Sequence, residues 1–223
     1  ESAVMYLINA IAFDAKWDKK YESDQIEKDI FTNADGTTQE ADFMYSTEEK
    51  YLEDENAKGF IKYYKDKRYA FAALLPDRNL NLNEYIETLN GEKLYNLLNS
   101  PEETEVEVSI PEFKSEYSTE MSEVLSNMGM SRAFSNILAQ FQGLGTSTEG
   151  NIYISKVLHK TYISVGKEGT KAAAATVVEM NDFWGSSISE TKTVYLDRPF
   201  IYMLIDTENN IPFFIGTMTD ISK

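Results

Sequence analysis

Few side chains in this sequence could carry covalent or acid–base chemistry. None of the 223 residues is cysteine and a single one, His159, is histidine. The lack of cysteine removes thiolate nucleophiles, disulfides, iron–sulfur clusters and cysteine zinc sites together. One imidazole cannot build a histidine metal cluster within one chain. A Ser–His–Asp triad would have to use His159. That residue sits inside SKVLHKTYISV (Ser155–Val165), a strand-like run in which a lone histidine is more often a packed core residue than a general base. Among the 37 acidic residues no spacing singles out an acid–base pair. Gly143–Gly150 (GLGTSTEG) has neither the lysine nor the spacing of a phosphate-cradling loop, and no EF-hand calcium loop occurs. No catalytic residue, metal site or cofactor is assigned on these grounds, so the chain reads as a non-enzyme.

The formal charge of −16 repels phosphate backbones and anionic lipid surfaces, so nucleic acid and membrane are not expected partners. A hydrophobic content of 42% with 13% aromatics is that of a folded chain rather than an acidic disordered tail. Met5–Phe13 (MYLINAIAF) is far short of the roughly 20 residues of a membrane span and lacks the basic flank of a signal peptide.

The elements that would position any site are mostly strands. Residues 1–17 read as one long buried strand ending near Trp17, and Gly59–Tyr64 with Tyr69–Pro76 as a hairpin. From Leu80 to Leu98 the apolar spacing is helical, broken at Asn90-Gly91 into two short helices. Glu103–Lys114 alternates as a long strand with one proline, suggesting an edge or bulge. Thr119–Met128 reads as a short helix, with Ser118 or Thr119 as N-cap and Gly129 as C-cap. Asn151–Val165 is another strand, and Val194–Asp206 with Ile211–Met218 a terminal hairpin. Strands outnumber helices and the helices cluster, which predicts α+β with large, mostly antiparallel sheets.

The segment Lys167–Pro199 stands apart: long loops inside compact domains are uncommon and usually functional. Gly169 permits a pivot, and from Thr170 to Thr176 every side chain except Lys171 is small. Four alanines followed by Thr-Val-Val can be helix, extended chain or strand. In strand form Thr170, Ala172, Ala174 and Thr176 share a small face, while Lys171, Ala173, Ala175 and Val177 share the other.

Tyr153–Thr176 (YISKVLHKTYISVGKEGTKAAAAT) resembles the strand, hinge and proximal reactive loop of the serpins, in unbroken order. Leu7–Trp17 resembles their central sheet strand, Ile110–Ser135 the strand–helix–loop that precedes the hinge strand, and Tyr195–Gly216 the terminal hairpin. The resemblance, to a bacterial-type serpin, implies a single α+β domain over residues 1–223 with a reactive loop at about 167–193. It implies a suicide-substrate inhibitor of serine proteases: the loop is cleaved, the protease is trapped as an acyl-enzyme, and the proximal loop inserts as a new strand. Gly169, Thr170, Lys171, Ala172, Ala173, Ala174, Ala175 and Thr176 would form the hinge. Asn9 and His159 would belong to the shutter under the opening sheet, and Trp17 to the breach where insertion begins. Spacing counted forward from Thr170 puts the reactive bond between Phe183 and Trp184, while counting back from Pro199 lands a few residues later, near Ile188. The forward count is preferred because the inserted length sets how far the protease travels, and it implies chymotrypsin- or elastase-like targets. An extracellular or cell-surface location is also implied.

Lys171 stands where the family more often has an acidic residue. The chain further reads as only the C-terminal portion of such a fold, with an N-terminal helical portion missing or supplied as a separate chain. The other reading of the residues is a non-inhibitory or inactive serpin-like binding module.

Overall fold

Period-two alternation accounts for the strands. In Glu102–Pro111 the inward Val106, Val108 and Ile110 are buried while Glu103, Glu105 and Glu107 face solvent. The computed structural model describes residues 5–11, 13–145, 147–148, 150–170 and 191–222. Its strands, in chain order, are β1 (Tyr6–Ile11), β2 (Ala15–Lys16), β3 (Ile26–Thr32), β4 (Thr38–Glu53), β5 (Ala57–Tyr63), β6 (Tyr69–Pro76), β7 (Glu102–Pro111) and β8 (Phe113–Glu120). They continue with β9 (Lys156–Gly166), β10 (Gly169–Thr170), β11 (Lys192–Tyr195), β12 (Phe200–Asp206) and β13 (Ile211–Met218). The α-helices are α1 (Leu82–Thr88), α2 (Gly91–Asn99) and α3 (Ser122–Leu125). The chain divides into two units, Glu1–Ala12 with Ser115–Ile163, and Phe13–Lys114 with Ser164–Lys223.

The larger unit is built on a sheet ordered β11-β7-β4-β5-β6-β12-β13, with β3 also paired to β4. Its neighbours are antiparallel except β11, which runs parallel to β7. Strands β5 and β6 are buried on both faces. On one face Ala57, Ile61, Ala70, Ala72 and Leu74 pack with Ile201 and Met203 against Leu82, Tyr85 and Leu98 of the two helices. On the other, Phe71 stacks on Tyr202, and Phe60, Phe113 and Phe200 join them in an aromatic core. Each fully buried Leu or Phe contributes about 1.5–3 kcal/mol relative to exposure.

The predicted helices form where expected because both starts carry asparagine caps. The Asn81 side chain accepts the Glu84 N–H at 2.9 Å, with Glu84 reciprocating, and Asn90 accepts the Lys93 N–H at 2.8 Å.

In the smaller unit β1 lies parallel to β9, with Tyr6 opposite Lys156 and Asn9 opposite His159, and β8 also pairs with β9. β1 has one strand neighbour among the described residues, and Tyr6 (55%) and Ile8 (71%) are exposed.

Several boundaries differ from the expected ones. The first strand is two pieces, β1 and β2. The strand expected over Glu103–Lys114 breaks after Pro111, where the Glu112 N–H turns to the Asp42 carbonyl at 2.7 Å and β8 begins. β8 then runs through Glu120, so the helix expected from Thr119 starts only at Ser122, whose N–H the Glu120 carboxylate accepts at 2.9 Å. It is α-helical over Ser122–Leu125 and continues as a π-turn over Ser126–Met130. Gly129, expected to end that helix, has φ 109°. The strand expected over Val194–Asp206 is divided before Pro199, so that β11 joins β7 while β12 pairs with β6 and β13.

Candidate functional site

The site is built where β9 ends. The chain leaves Gly166, turns through Lys167 and Glu168, and returns as the two-residue β10, antiparallel both to the end of β9 and to β2. Gly169 has φ 146°, in a region that disfavours side chains, and a Cβ there would lie 2.1 Å from the Ala15 carbonyl oxygen. Only glycine fits both demands. Glu168 forms an ion pair with Lys20 at 2.7 Å, and that ammonium holds its carboxyl below the usual carboxylate range.

Thr170 follows, completely buried, its hydroxyl 2.6 Å from that of Tyr64. Tyr64 lies flat on the Trp17 indole, with ring centroids 4.6 Å apart and planes 7° from parallel. Burial pushes the Tyr64 phenol far above its ordinary value, so it stays neutral. Trp17 is fixed from two sides: its backbone N–H donates to the Glu168 carbonyl at 3.0 Å and its indole N–H to the Gly166 carbonyl at 2.9 Å. Phe71 and Tyr21 close the box edge-on. A turn carrying the pivot is thus nailed by one tryptophan, and the residue after it is capped by one tyrosine.

The structure brings together three of the sequence-predicted residues here: Gly169, Thr170 and Trp17. Asn9 and His159 face each other across the β1–β9 pairing of the other unit, His159 half-buried within its strand. Lys171, Ala172, Ala173, Ala174, Ala175, Thr176, Phe183 and Trp184 lie outside the described residues. Sequence reasoning missed Tyr64, and also Lys62, Glu48 and Tyr21 beneath Trp17. The signal available for two of them was period-two spacing, which puts Lys62 on the same inward face as Phe60 and Tyr64.

Against known proteins, the family model described as serpin (serine protease inhibitor) matches residues 1–221. A serpin-like protein of Methanosarcina mazei is 34% identical over 216 residues, 94% of this chain and 49% of its own length. Human Serpin B13 is 30% identical over 221 residues, 96% of this chain and 55% of its own. The solved structure of tengpin, a thermophilic serpin, in its native state shares 48% identity at a TM-score of 0.90, covering 98% of this chain and 56% of that one. In its latent state the values are 42% and 0.77. The chain spans about half the length of the relatives it matches.

These matches correct the expectation of a C-terminal portion whose N-terminal helical part is missing. The family model is met from residue 1 to residue 221 and the likeness to native tengpin takes in 98% of the chain, so the fold matched is a serpin-like α+β fold throughout. The larger unit covers both faces of its central strands with its own helices and aromatic rings.

Proposed function

Because the chain belongs to the serpin family, we propose that it serves as a suicide-substrate inhibitor of serine proteases through a loop-mediated conformational change. The loop at about 167–193 is the bait. The protease serine oxygen attacks the carbonyl carbon of Phe183, the C–N bond to Trp184 breaks, and the new amino terminus leaves with a proton. The ester that remains links protease and inhibitor. The segment from Thr170 onward then inserts as a strand between β1 and β9, at the seam flanked by Asn9 and His159, and the protease is displaced before water cleaves the ester. His159 is a gate residue in this reading, and Trp17 marks the place where insertion begins.

The observation that carries the reading is the pivot. A glycine at φ 146°, locked by backbone contact on Ala15, delivers a buried Thr170 to the start of a run of small side chains that can pass into a sheet. The direct β1–β9 pairing, with Asn9 opposite His159, and the higher likeness to the native than to the latent state of tengpin support a state before insertion. Phe183 at the reactive bond favours chymotrypsin- or elastase-like targets.

Incubating the chain with a panel of serine proteases tests this. The expected result is a complex with chymotrypsin or elastase that survives SDS, with a released peptide beginning at Trp184. Cleavage of the loop at every ratio of protease without a stable adduct would leave the non-inhibitory reading, and a released peptide beginning beyond Gly185 would overturn the assignment of the bond.

A further inference from the structure

Beneath the Trp17 box lies a charge pair that the inhibitory reading does not use. Strand β5 carries Phe60 and Lys62 inward, with Tyr64 just after it on the same face, and Lys62 is 1% exposed. Its ammonium donates to Glu48 Oε1 at 2.6 Å, and Glu48, on β4, is itself buried. The Ser46 hydroxyl lies 2.7 Å from the same carboxylate oxygen and 3.2 Å from the Tyr21 hydroxyl. The ammonium also sits 4.5 Å from the centre of the Tyr21 ring and 5.5 Å from that of Trp17. A desolvated cation at these distances is attracted to ring faces, whose negative quadrupole it meets.

Bulk alone does not explain this choice of residues. A buried ion pair is commonly no more stabilising than apolar side chains of similar volume, whereas it accepts far fewer geometries. Lys62 has one place to be, set by Glu48, and from that place its ammonium holds the Trp17 indole and the Tyr21 ring that packs edge-on against it. Trp17 passes the constraint on through its indole N–H to the Gly166 carbonyl and through its stacked Tyr64 to the Thr170 hydroxyl. All of these groups belong to one unit of the chain.

We propose that Lys62, clamped by Glu48, is a positioning residue for the hinge, keeping Trp17 and Tyr64 in the one arrangement that retains Gly169 and Thr170 against β2. That it thereby delays entry of the loop rests on the inhibitory reading above. The structural part stands without it and is tested without any protease.

The experiment is amide and indole hydrogen exchange by NMR on the chain, with Trp184→Phe to leave one indole signal. In the variant Lys62→Met/Glu48→Leu, which removes both charges and keeps the volume, exchange of the Trp17 indole N–H and of the Gly169 and Thr170 amides should rise at least about tenfold. Amides of the β12–β13 pairing should stay within about twofold of the parent. The single variant Glu48→Gln, which keeps the shape of the site, should accelerate the same three hydrogens severalfold, and it decides the matter if the double variant does not fold. Unchanged exchange at those three hydrogens, or equal acceleration across β12–β13, would reduce the pair to ordinary core and overturn the proposal. Loss of this effect while protease complexes still form would remove the positioning role and leave the inhibitory reading in place.

Discussion

At the scale of single residues, the contact between Tyr64 and Thr170 is the one most open to test. Both hydroxyls are buried and lie 2.6 Å apart, so each supplies the other's partner. Removing one leaves its counterpart without a hydrogen bond in a dry site, at a cost of about 1–3 kcal/mol. Tyr64→Phe and Thr170→Val should each lower stability to urea by that amount. The double variant should lose clearly less than the sum, because the second change removes the group that the first left unpaired. Strict additivity would mean that the two hydroxyls do not depend on each other.

At the scale of elements, Asp54 ties the helices to the sheet. Its carboxylate accepts the N–H groups of Asn56 (2.8 Å) and Ala57 (2.9 Å) in the turn between β4 and β5. It also takes the Tyr85 hydroxyl of α1 at 2.9 Å and pairs with Lys93 of α2 at 3.0 Å. Burial pushes this carboxyl upward, but the N–H of Asn56, Lys93 and the Tyr85 hydroxyl together outweigh it, so it is held below its ordinary value. A folded-state pKa below the unfolded value of about 3.9 means stability that is present above that pH and is lost as pH falls through the folded value. Asp54→Asn should therefore be less stable than the parent at pH 7, and its stability should fall less between about pH 5 and pH 2. Urea midpoints measured across that range decide it: parallel curves for the two proteins would deny Asp54 the role of acid-sensitive tie.

For the molecule as a whole, the inhibitory reading demands that a stretch of loop change its solvent from water to sheet. In strand form Ala174 shares the small face of Thr170, Ala172 and Thr176. Ala174→Arg would put a charge on the face to be buried, at a cost of several kcal/mol unless it finds a partner. Insertion should slow while hydrolysis of the acyl-enzyme does not, so protease added to this variant should yield more cleaved chain and less SDS-stable complex. An unchanged ratio of complex to cleaved product would sink strand insertion as the mechanism.

Much of the scaffold was legible in the residues by themselves. The β5–β6 hairpin, the two helices divided at Asn90-Gly91 and the β12–β13 pairing follow from local periods and capping side chains, which act over a few residues. The need for glycine at 169 was legible, because a glycine at the end of a strand pattern marks backbone that other residues disfavour. The family, too, could be recognised in the order of its motifs. What periodicity could not supply was which strand lies beside which, and therefore which side chains meet. Tyr64 and Thr170 stand 106 residues apart, Trp17 and Gly166 149. An inward lysine at position 62 reads as a misplaced charge until the β4 strand sets Glu48 beside it, and the breaks at Pro111 and Pro199 gain their meaning only from the strands that the chain turns to join. Local sequence determines backbone period and the residues able to bend it. The partners of a buried polar group are decided by tertiary structure, because desolvation penalises every arrangement that leaves such a group alone and no short stretch of sequence contains the group that relieves it.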